Sequence, residues 1–97
     1  MASRIRGTPR PFASTSPSVT GTATLGQVLT CNPGAWQNGA TITYQWIRDA
    51  STVIAAATSA TYTLVAADQT HTVKCRVTGT NGYDAATVDT ASTGTVA

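Results

Sequence analysis

Residues 41–48 read TITYQWIR, a run in which apolar side chains alternate with threonine and glutamine. Because successive side chains of a strand point to opposite faces, Ile42, Tyr44 and Trp46 share one face. Two further runs show the same alternation, with apolar faces at Leu29, Cys31, Val73, Cys75 and Val77. Leu64 takes the equivalent position in the run 61–65. Strands that each bury one apolar face must bury it against one another, so these residues are the predicted core.

The composition of the chain also favours strands over helices. Charged residues make up 10% of the 97 residues and apolar residues 41%, and threonine is frequent. Threonine is β-branched and suits the solvated face of a strand. No segment has a helical period long enough to indicate an amphipathic helix. We therefore expect one small all-β domain, built as an antiparallel sandwich of two sheets.

The first seventeen residues differ from the rest of the chain in charge. Residues 1–17 read MASRIRGTPRPFASTSP and contain Arg4, Arg6 and Arg10 but neither Asp nor Glu. Residues 18–97 carry three basic and four acidic residues, so their formal charge is −1. Prolines disfavour helix in the residues that precede them. We predict an extended basic arm over residues 1–17 and the β-sandwich over residues 18–97.

The arm has the residue types of a segment that docks into a protein groove. Arginine pairs with carboxylates, and Ile5 and Phe12 can fill apolar pockets. The residues that we assign to docking are Arg4, Ile5, Arg6, Arg10 and Phe12. A merely solvated tail is one alternative, and binding to the phosphates of a nucleic acid is another. Three charges make a weak electrostatic footprint, so nucleic acid is the least favoured partner.

Two aromatic residues beside turn signals are candidate surface contacts. Asn81-Gly82 predicts a hairpin and leaves Tyr83 near its tip, where an aromatic side chain either anchors a partner or folds over the sheet edge. Trp36 follows the turn after the Cys31 strand. We expect Trp36 to pin that loop, with exposure as a contact residue as the alternative.

Several stretches carry the signature of a known family. They are GTATLGQVLTCNPGAW (21–36), TITYQWIRDAST (41–52) and ATSATYTLVAADQTHTVKCRVTGTNGYDAAT (57–87). Together they resemble the immunoglobulin-like modules of bacteria and their tailed phages, over roughly residues 17–91. The resemblance implies an immunoglobulin-like sandwich with Cys31 on the second strand, Trp46 on the third and Cys75 on the sixth.

One position departs from the antibody-type pattern. The tyrosine that stands two residues before the second cysteine in antibody domains is replaced here by Val73. The corner beside that strand must therefore be held in another way. We expect the Asp68 carboxylate to accept hydrogen bonds from backbone N–H groups there.

The state of the cysteines is open at this point. Cys31 and Cys75 could form a core disulfide, remain a reduced buried pair, or ligate a metal. Two cysteines and the single histidine do not have the spacing of a zinc site, so we expect no metal and no cofactor. The chain also shows no nucleophile motif, no phosphate-binding glycine loop and no Glu, and we expect no enzymatic activity.

These observations predict a structural protein of a virion. Residues 1–17 are broken by arginines and prolines and do not read as a secretory signal, and no apolar run is long enough for a membrane span. The expected protein is a phage capsid decoration protein, synthesised in the host cytoplasm, whose arm binds the major capsid protein or another virion protein. Its sandwich would face outward and could touch a host surface or carbohydrate. A tail or baseplate component and an adhesion module of a bacterial surface protein are the alternatives.

Overall fold

The computed structural model describes residues 10–49 and 51–97. Within these residues the chain forms nine strands and one short 3-10 helix, Ala66–Asp68. The strands are Phe12–Ala13 (β1), Ser18–Thr20 (β2), Val28–Asn32 (β3), Trp36–Gln37 (β4), Thr41–Arg48 (β5), Thr52–Val53 (β6), Thr61–Thr63 (β7), Val73–Thr80 (β8) and Ala85–Asp89 (β9). Every strand pair is antiparallel, so the prediction of an all-β antiparallel domain is confirmed.

Two sheets enclose the core in a sandwich-like arrangement. One sheet has the strand order β2-β3-β7, the other has the order β6-β5-β8-β9, and β1 and β4 form a separate two-stranded pair. The buried cluster contains residues from both sheets and two residues outside the strands, Leu64 and Val96. Its members are Leu29, Cys31, Trp46, Leu64, Val73, Cys75, Val77 and Val96. Ile42 and Tyr44, the remaining residues assigned to the core from sequence, are half-buried and pack against this cluster.

The longest pairing joins β5 to β8 and sets which side chains enter the core. Trp46 lies directly opposite Cys75, and Tyr44 lies opposite Val77. Trp46 is completely buried, and its Nε1 donates a hydrogen bond to the Ser59 carbonyl oxygen at 2.8 Å. Its ring stacks on Tyr62 of β7 with the centroids 5.7 Å apart, so the indole joins the two sheets.

A buried carboxylate holds the corner between β7 and β8. Asp68 is fully buried, and its Oδ2 accepts hydrogen bonds from the Val65 N–H at 2.9 Å and from the Tyr62 hydroxyl at 2.6 Å. The expected contact of the Asp68 carboxylate with the backbone is confirmed for one N–H group, that of Val65. The sequence did not indicate the other partners, Tyr62 and Arg48, whose Nε and Nη2 lie 2.8 and 2.6 Å from Asp68 Oδ1.

The charge of Asp68 is stabilised by these contacts. Burial by itself would raise the pKa of Asp68, but the hydrogen bonds to its two oxygens outweigh burial and hold the pKa below its ordinary value. Burial and the neighbouring Asp68 carboxylate raise the pKa of Tyr62 to about 12. Asp68 therefore stabilises the fold fully above its unfolded-state pKa of about 3.9, and this contribution is lost as the pH falls through the lower folded-state pKa.

Replacement of Asp68 should destabilise the domain strongly at neutral pH. We expect Asp68→Asn to lower the free energy of unfolding by about 3–5 kcal/mol at pH 7, because the Arg48 side chain, which is only 20% exposed, would lose its counter-charge. Tyr62→Phe, which removes one hydrogen bond to the same carboxylate, should cost about 1–3 kcal/mol. Urea unfolding followed by tryptophan fluorescence measures both.

The exposed Asp84 provides the matched control for this substitution. Asp84→Asn should change the free energy of unfolding by no more than about 0.5 kcal/mol, because its side chain is 48% exposed and its ion pair with Arg10 is in contact with solvent. The difference between the wild-type chain and Asp68→Asn should shrink as the pH is lowered toward 3. A difference that stays constant from pH 7 to pH 3 would contradict the role assigned to the Asp68 charge.

Candidate functional site

The chain enters the folded domain along residues 10–17, a segment that we call the strap. Phe12 and Ala13 of β1 pair with Gln37 and Trp36 of β4. The Ser14 N–H donates to the Ala35 carbonyl oxygen at 2.8 Å. Pro11 and Pro17, near the two ends of the strap, are buried. This part of the predicted arm is therefore packed on the sandwich, whereas Arg4, Ile5 and Arg6 lie outside the described residues.

A close backbone approach fixes the middle of the strap. Gly34 has a φ of +77°, and a Cβ built on it would lie 2.0 Å from the Thr15 carbonyl oxygen. Only glycine tolerates both conditions. The Gly34 N–H donates to Asn32 Oδ1 at 2.9 Å, which shapes the turn that receives the strap. Sequence analysis assigned this turn but did not indicate that the chain's own N-terminal segment lies against it.

Trp36 fastens the same turn to the four-stranded sheet. Its Nε1 donates to the Pro33 carbonyl oxygen at 2.8 Å, and the indole is half-buried. The ring lies over Gly79 of β8, where a Cβ would sit 2.5 Å from Cε3 and 2.6 Å from Cζ3 of Trp36. Trp36 thus contacts the loop after β3, and its ring covers the backbone of β8 instead of standing free in solvent.

The hairpin between β8 and β9 projects Tyr83 into solvent. Gly82 has a φ of +87°, and Gly82 and Tyr83 lie between Asn81 and Asp84, where the Asn81 N–H donates to the Asp84 carbonyl oxygen at 3.2 Å. Asn81 Oδ1 accepts the N–H groups of Tyr83 and Asp84, both at 3.0 Å. The Tyr83 side chain is 71% exposed, the largest value among the exposed large apolar residues of the described chain.

The strap and this hairpin meet at one end of the domain. Asn81 Nδ2 donates to the Asn38 carbonyl oxygen at 3.1 Å, and Asn38 Nδ2 donates to the Arg10 carbonyl oxygen at 2.8 Å. Arg10 Nε lies 3.7 Å from Asp84 Oδ2, and both side chains remain solvated. Phe12, two residues along the strap, is 50% exposed. We call Arg10, Phe12, Asn38, Tyr83 and Asp84 the entry surface.

The other charged groups of the sandwich are paired away from the entry surface. Asp89 accepts Arg76 Nε at 2.8 Å and lies 2.8 Å from Lys74 Nζ on the outer face of the four-stranded sheet. The hydrogen bond from Arg76 is the main reason that the pKa of Asp89 falls to about 2. At the opposite end of the domain, Asp49 Oδ2 pairs with His71 Nδ1 beside the Asp68 corner.

The two cysteines are buried as free thiols, one in each sheet. Burial raises the pKa of both Cys31 and Cys75, which disfavours the reactive thiolate. Their position in the core cluster beside Trp46 makes them packing residues in this structure.

The described residues form neither of the two common kinds of small-ligand site, a metal-ligand cluster or a surface cavity. Residues 10–49 and 51–97 contain no group of three His, Cys, Asp or Glu side chains that could hold a metal ion. The same residues leave no cavity on their surface.

The described part of the chain has no helix of the length and apolar character needed to cross a membrane.

The fold and surface define an all-β domain of the sandwich type with a strapped N-terminal segment. Comparison of the chain with family models, curated proteins and solved structures finds no match.

Gly79 offers a direct test of how Trp36 is held. Gly79→Ala should lower the free energy of unfolding by about 1–3 kcal/mol, because the new methyl group would overlap the indole that covers β8. Gly94→Ala is the control, since nothing lies within 4 Å of its Cβ position, and it should change stability by less than about 0.5 kcal/mol. Equal stabilities for the two variants, measured by thermal unfolding, would contradict the packing described.

Gly34 offers a separate test of the strap. Gly34→Ala should detach residues 10–17, because its Cβ would overlap the Thr15 carbonyl oxygen. The N–H groups of Ser14 and Thr15, which donate to the Ala35 carbonyl oxygen, should then exchange with deuterium at least about ten times faster. The Cys75 N–H, bonded to Thr90 Oγ1 in the core, should exchange at a nearly unchanged rate. Unchanged protection of Ser14 and Thr15 would show that the strap does not depend on this contact.

Proposed function

We propose that this protein is a capsid decoration protein of a tailed phage, which attaches to the shell through its N-terminal residues and presents the sandwich outward. The observation that carries the proposal is the division of the chain into two parts. An acid-free segment with Arg4, Arg6 and Arg10 leads into a body whose own charges nearly cancel. Such a division suits a protein that is held at one end by a partner and is otherwise inert.

The strap supports a mechanical role for the N-terminal segment. A segment that binds a partner can orient its domain only if the segment is fixed to the domain where the two join. Here that junction is fixed by the β1–β4 pairing, by two buried prolines and by the contact of Thr15 with Gly34. Residues 1–9 are then the part left to reach a partner, and at about 3.3 Å per residue they could span up to roughly 30 Å.

An immunoglobulin-like identity for the sandwich belongs to the same proposal. It is supported by the position of Cys31 in the three-stranded sheet and of Trp46 and Cys75 side by side in the four-stranded sheet. When the separate β1–β4 pair is left out, Cys31 lies on the second strand, Trp46 on the third and Cys75 on the sixth, as the family resemblance implies. In place of a tyrosine at Val73, the corner is held by Asp68 with Tyr62.

The surface of the body suits weak contacts that are repeated many times. The residues exposed on the outer face of the four-stranded sheet include Thr41, Thr43, Thr80 and Thr87, and the described surface has no cavity for a small ligand. A single contact through such a face would be weak. Many copies on one particle would bind at the same time. A weak affinity of each copy for a host surface or carbohydrate would then still hold the particle at that surface.

Removal of the free part of the arm tests the attachment. Deletion of residues 2–9 should abolish binding to particles that are prepared without this protein, because those residues carry Arg4, Ile5 and Arg6. The melting temperature should change by less than about 2 °C, since the deletion stops before the strap. Co-sedimentation of the labelled chain with the particles measures binding. A deletion that ran to residue 14 would also remove β1 and so would not separate binding from folding.

A charge variant controls for the length of the deletion. Arg4→Glu together with Arg6→Glu keeps the arm at full length and should weaken binding as the deletion does. Arg4→Lys together with Arg6→Lys keeps the charge and should retain most of it. Binding of the deleted chain at the wild-type level would contradict attachment through residues 1–9. Electron microscopy of the decorated particle would place the protein on the head or on the tail.

A further inference from the structure

The exposed apolar side chains of the domain are distributed unevenly. In the described chain the large ones are Phe12, Leu25, Val28, Val53, Val65 and Tyr83. The two aromatic residues both belong to the entry surface, whereas Val53 and Val65 lie toward the opposite end, near Arg48 and Asp68. Tyrosine is enriched among residues that dominate binding energy at protein interfaces, and aromatic residues in general are enriched there.

The entry surface is held in a fixed shape before any partner binds. The backbone of Tyr83 is fixed by the two hydrogen bonds to Asn81 Oδ1, and the backbone of Phe12 is fixed by pairing with Gln37. The Asn81 and Asn38 amides tie the hairpin to the strap. A side chain on an ordered backbone loses little conformational entropy on binding, so this surface is suited to act as an anchor.

The described charges of the entry surface are the ion pair of Arg10 and Asp84, and the sequence that leads to Arg10 adds only positive charge. Asp84 is the one acidic residue of the entry surface, and it lies beside Arg10, which is 70% exposed and free to contact another carboxylate. Arg4 and Arg6 precede this point in the sequence. The acidic residues Asp49 and Asp68 lie at the other end of β8, roughly 23 Å away along the strand. Because residues 1–10 carry three arginines and neither Asp nor Glu, a partner surface that carries carboxylates is the complementary one.

We propose that the entry surface forms the second half of the docking interface, and that it binds an acidic surface of the shell protein whose apolar pockets receive Phe12 and Tyr83. This inference rests on the proposed attachment to a virion, and it adds the surface and the chemistry of the partner. The described chain begins at Arg10 on this surface, so the segment that carries Arg4 and Arg6 is joined to the domain beside the two aromatic side chains. The arm and the entry surface then engage one continuous area of the shell. The opposite end, with Val53, Val65 and the Asp68 corner, faces away from the particle.

The test uses the full chain and particles that are purified without this protein. Tyr83→Ala and Phe12→Ala should each weaken co-sedimentation with the particles by about tenfold or more, as is usual for truncation of an aromatic anchor. Val53→Ala and Val65→Ala remove exposed apolar groups of similar accessibility from the opposite end and should bind as the wild-type chain does. Thermal unfolding of each variant verifies that the fold is kept, and Tyr83→Phe should restore most of the binding lost in Tyr83→Ala.

A pair of charge variants tests the chemistry assigned to the partner. Arg10→Glu should weaken binding by about tenfold, and raising the salt concentration should reduce this difference. Asp84→Asn removes the one negative charge of the entry surface and should leave binding equal or tighter. Weaker binding of Asp84→Asn, with its melting temperature unchanged, would overturn the assignment of an acidic partner.

The outcomes separate this inference from the proposed function. Loss of binding on deletion of residues 2–9, with Tyr83→Ala and Phe12→Ala unaffected, would overturn the docking role of the entry surface and leave attachment through the arm intact. Failure of the full chain to bind any particle would overturn both. Self-association of the isolated chain that Tyr83→Ala abolishes would assign the surface to a second copy and overturn the inference.

Discussion

The pairing of β5 with β8 is the constraint on which the rest of the domain depends. Eight consecutive residue pairs join the two strands, and their register puts Trp46 against Cys75 and Tyr44 against Val77 on the inner face. A shift of one residue would turn these side chains outward and bring Lys74 and Arg76 into the core. Stacking of Trp46 on Tyr62 then brings the second sheet onto the first. Gly79 belongs to the same pairing. Because Gly79 has no side chain, the Trp36 ring packs directly on its backbone.

The buried Asp68 connects this core to the turn between β7 and β8, at the end of the domain opposite the strap. Its carboxylate joins β5, β7 and the start of the 3-10 helix through Arg48, Tyr62 and the Val65 N–H. A buried ion pair stabilises a fold only where its remaining hydrogen-bonding groups are also satisfied. Here both carboxylate oxygens have partners, so the charge is tolerated and the corner is specified. The two ends of the domain are thus held by different means, a charged corner at one end and a strap with its amide contacts at the other.

The proposed attachment depends on the strap, because the strap makes part of the N-terminal sequence belong to the folded body. As a string of residues, positions 1–17 look like one continuous arm. In the folded chain, positions 10–17 belong to the body, so the N-terminal segment is joined to the domain at a fixed point beside Phe12 and Tyr83. Binding energy gathered by residues 1–9 would therefore orient the whole sandwich, because its base cannot swivel freely. An oriented domain presents the same outer face from every copy, which is the condition for repeated weak contacts to add.

The alternating pattern of the sequence by itself determined that the chain is all-β, and it located the strands around Cys31, Trp46 and Cys75. It also indicated the hairpin at Asn81-Gly82 and the part that Asp68 has at its corner, because alternation and turn preferences are local properties of the chain. Only the tertiary structure decided that Phe12 pairs with Gln37, that Gly34 receives Thr15 and that Arg48 reaches Asp68. These contacts join residues that lie about 20 or more positions apart, and no local pattern records which distant partner will satisfy a given group. The entry surface is of this second kind: its residues come from the strap, from the loop before β5 and from the β8–β9 hairpin, and folding alone brings them together.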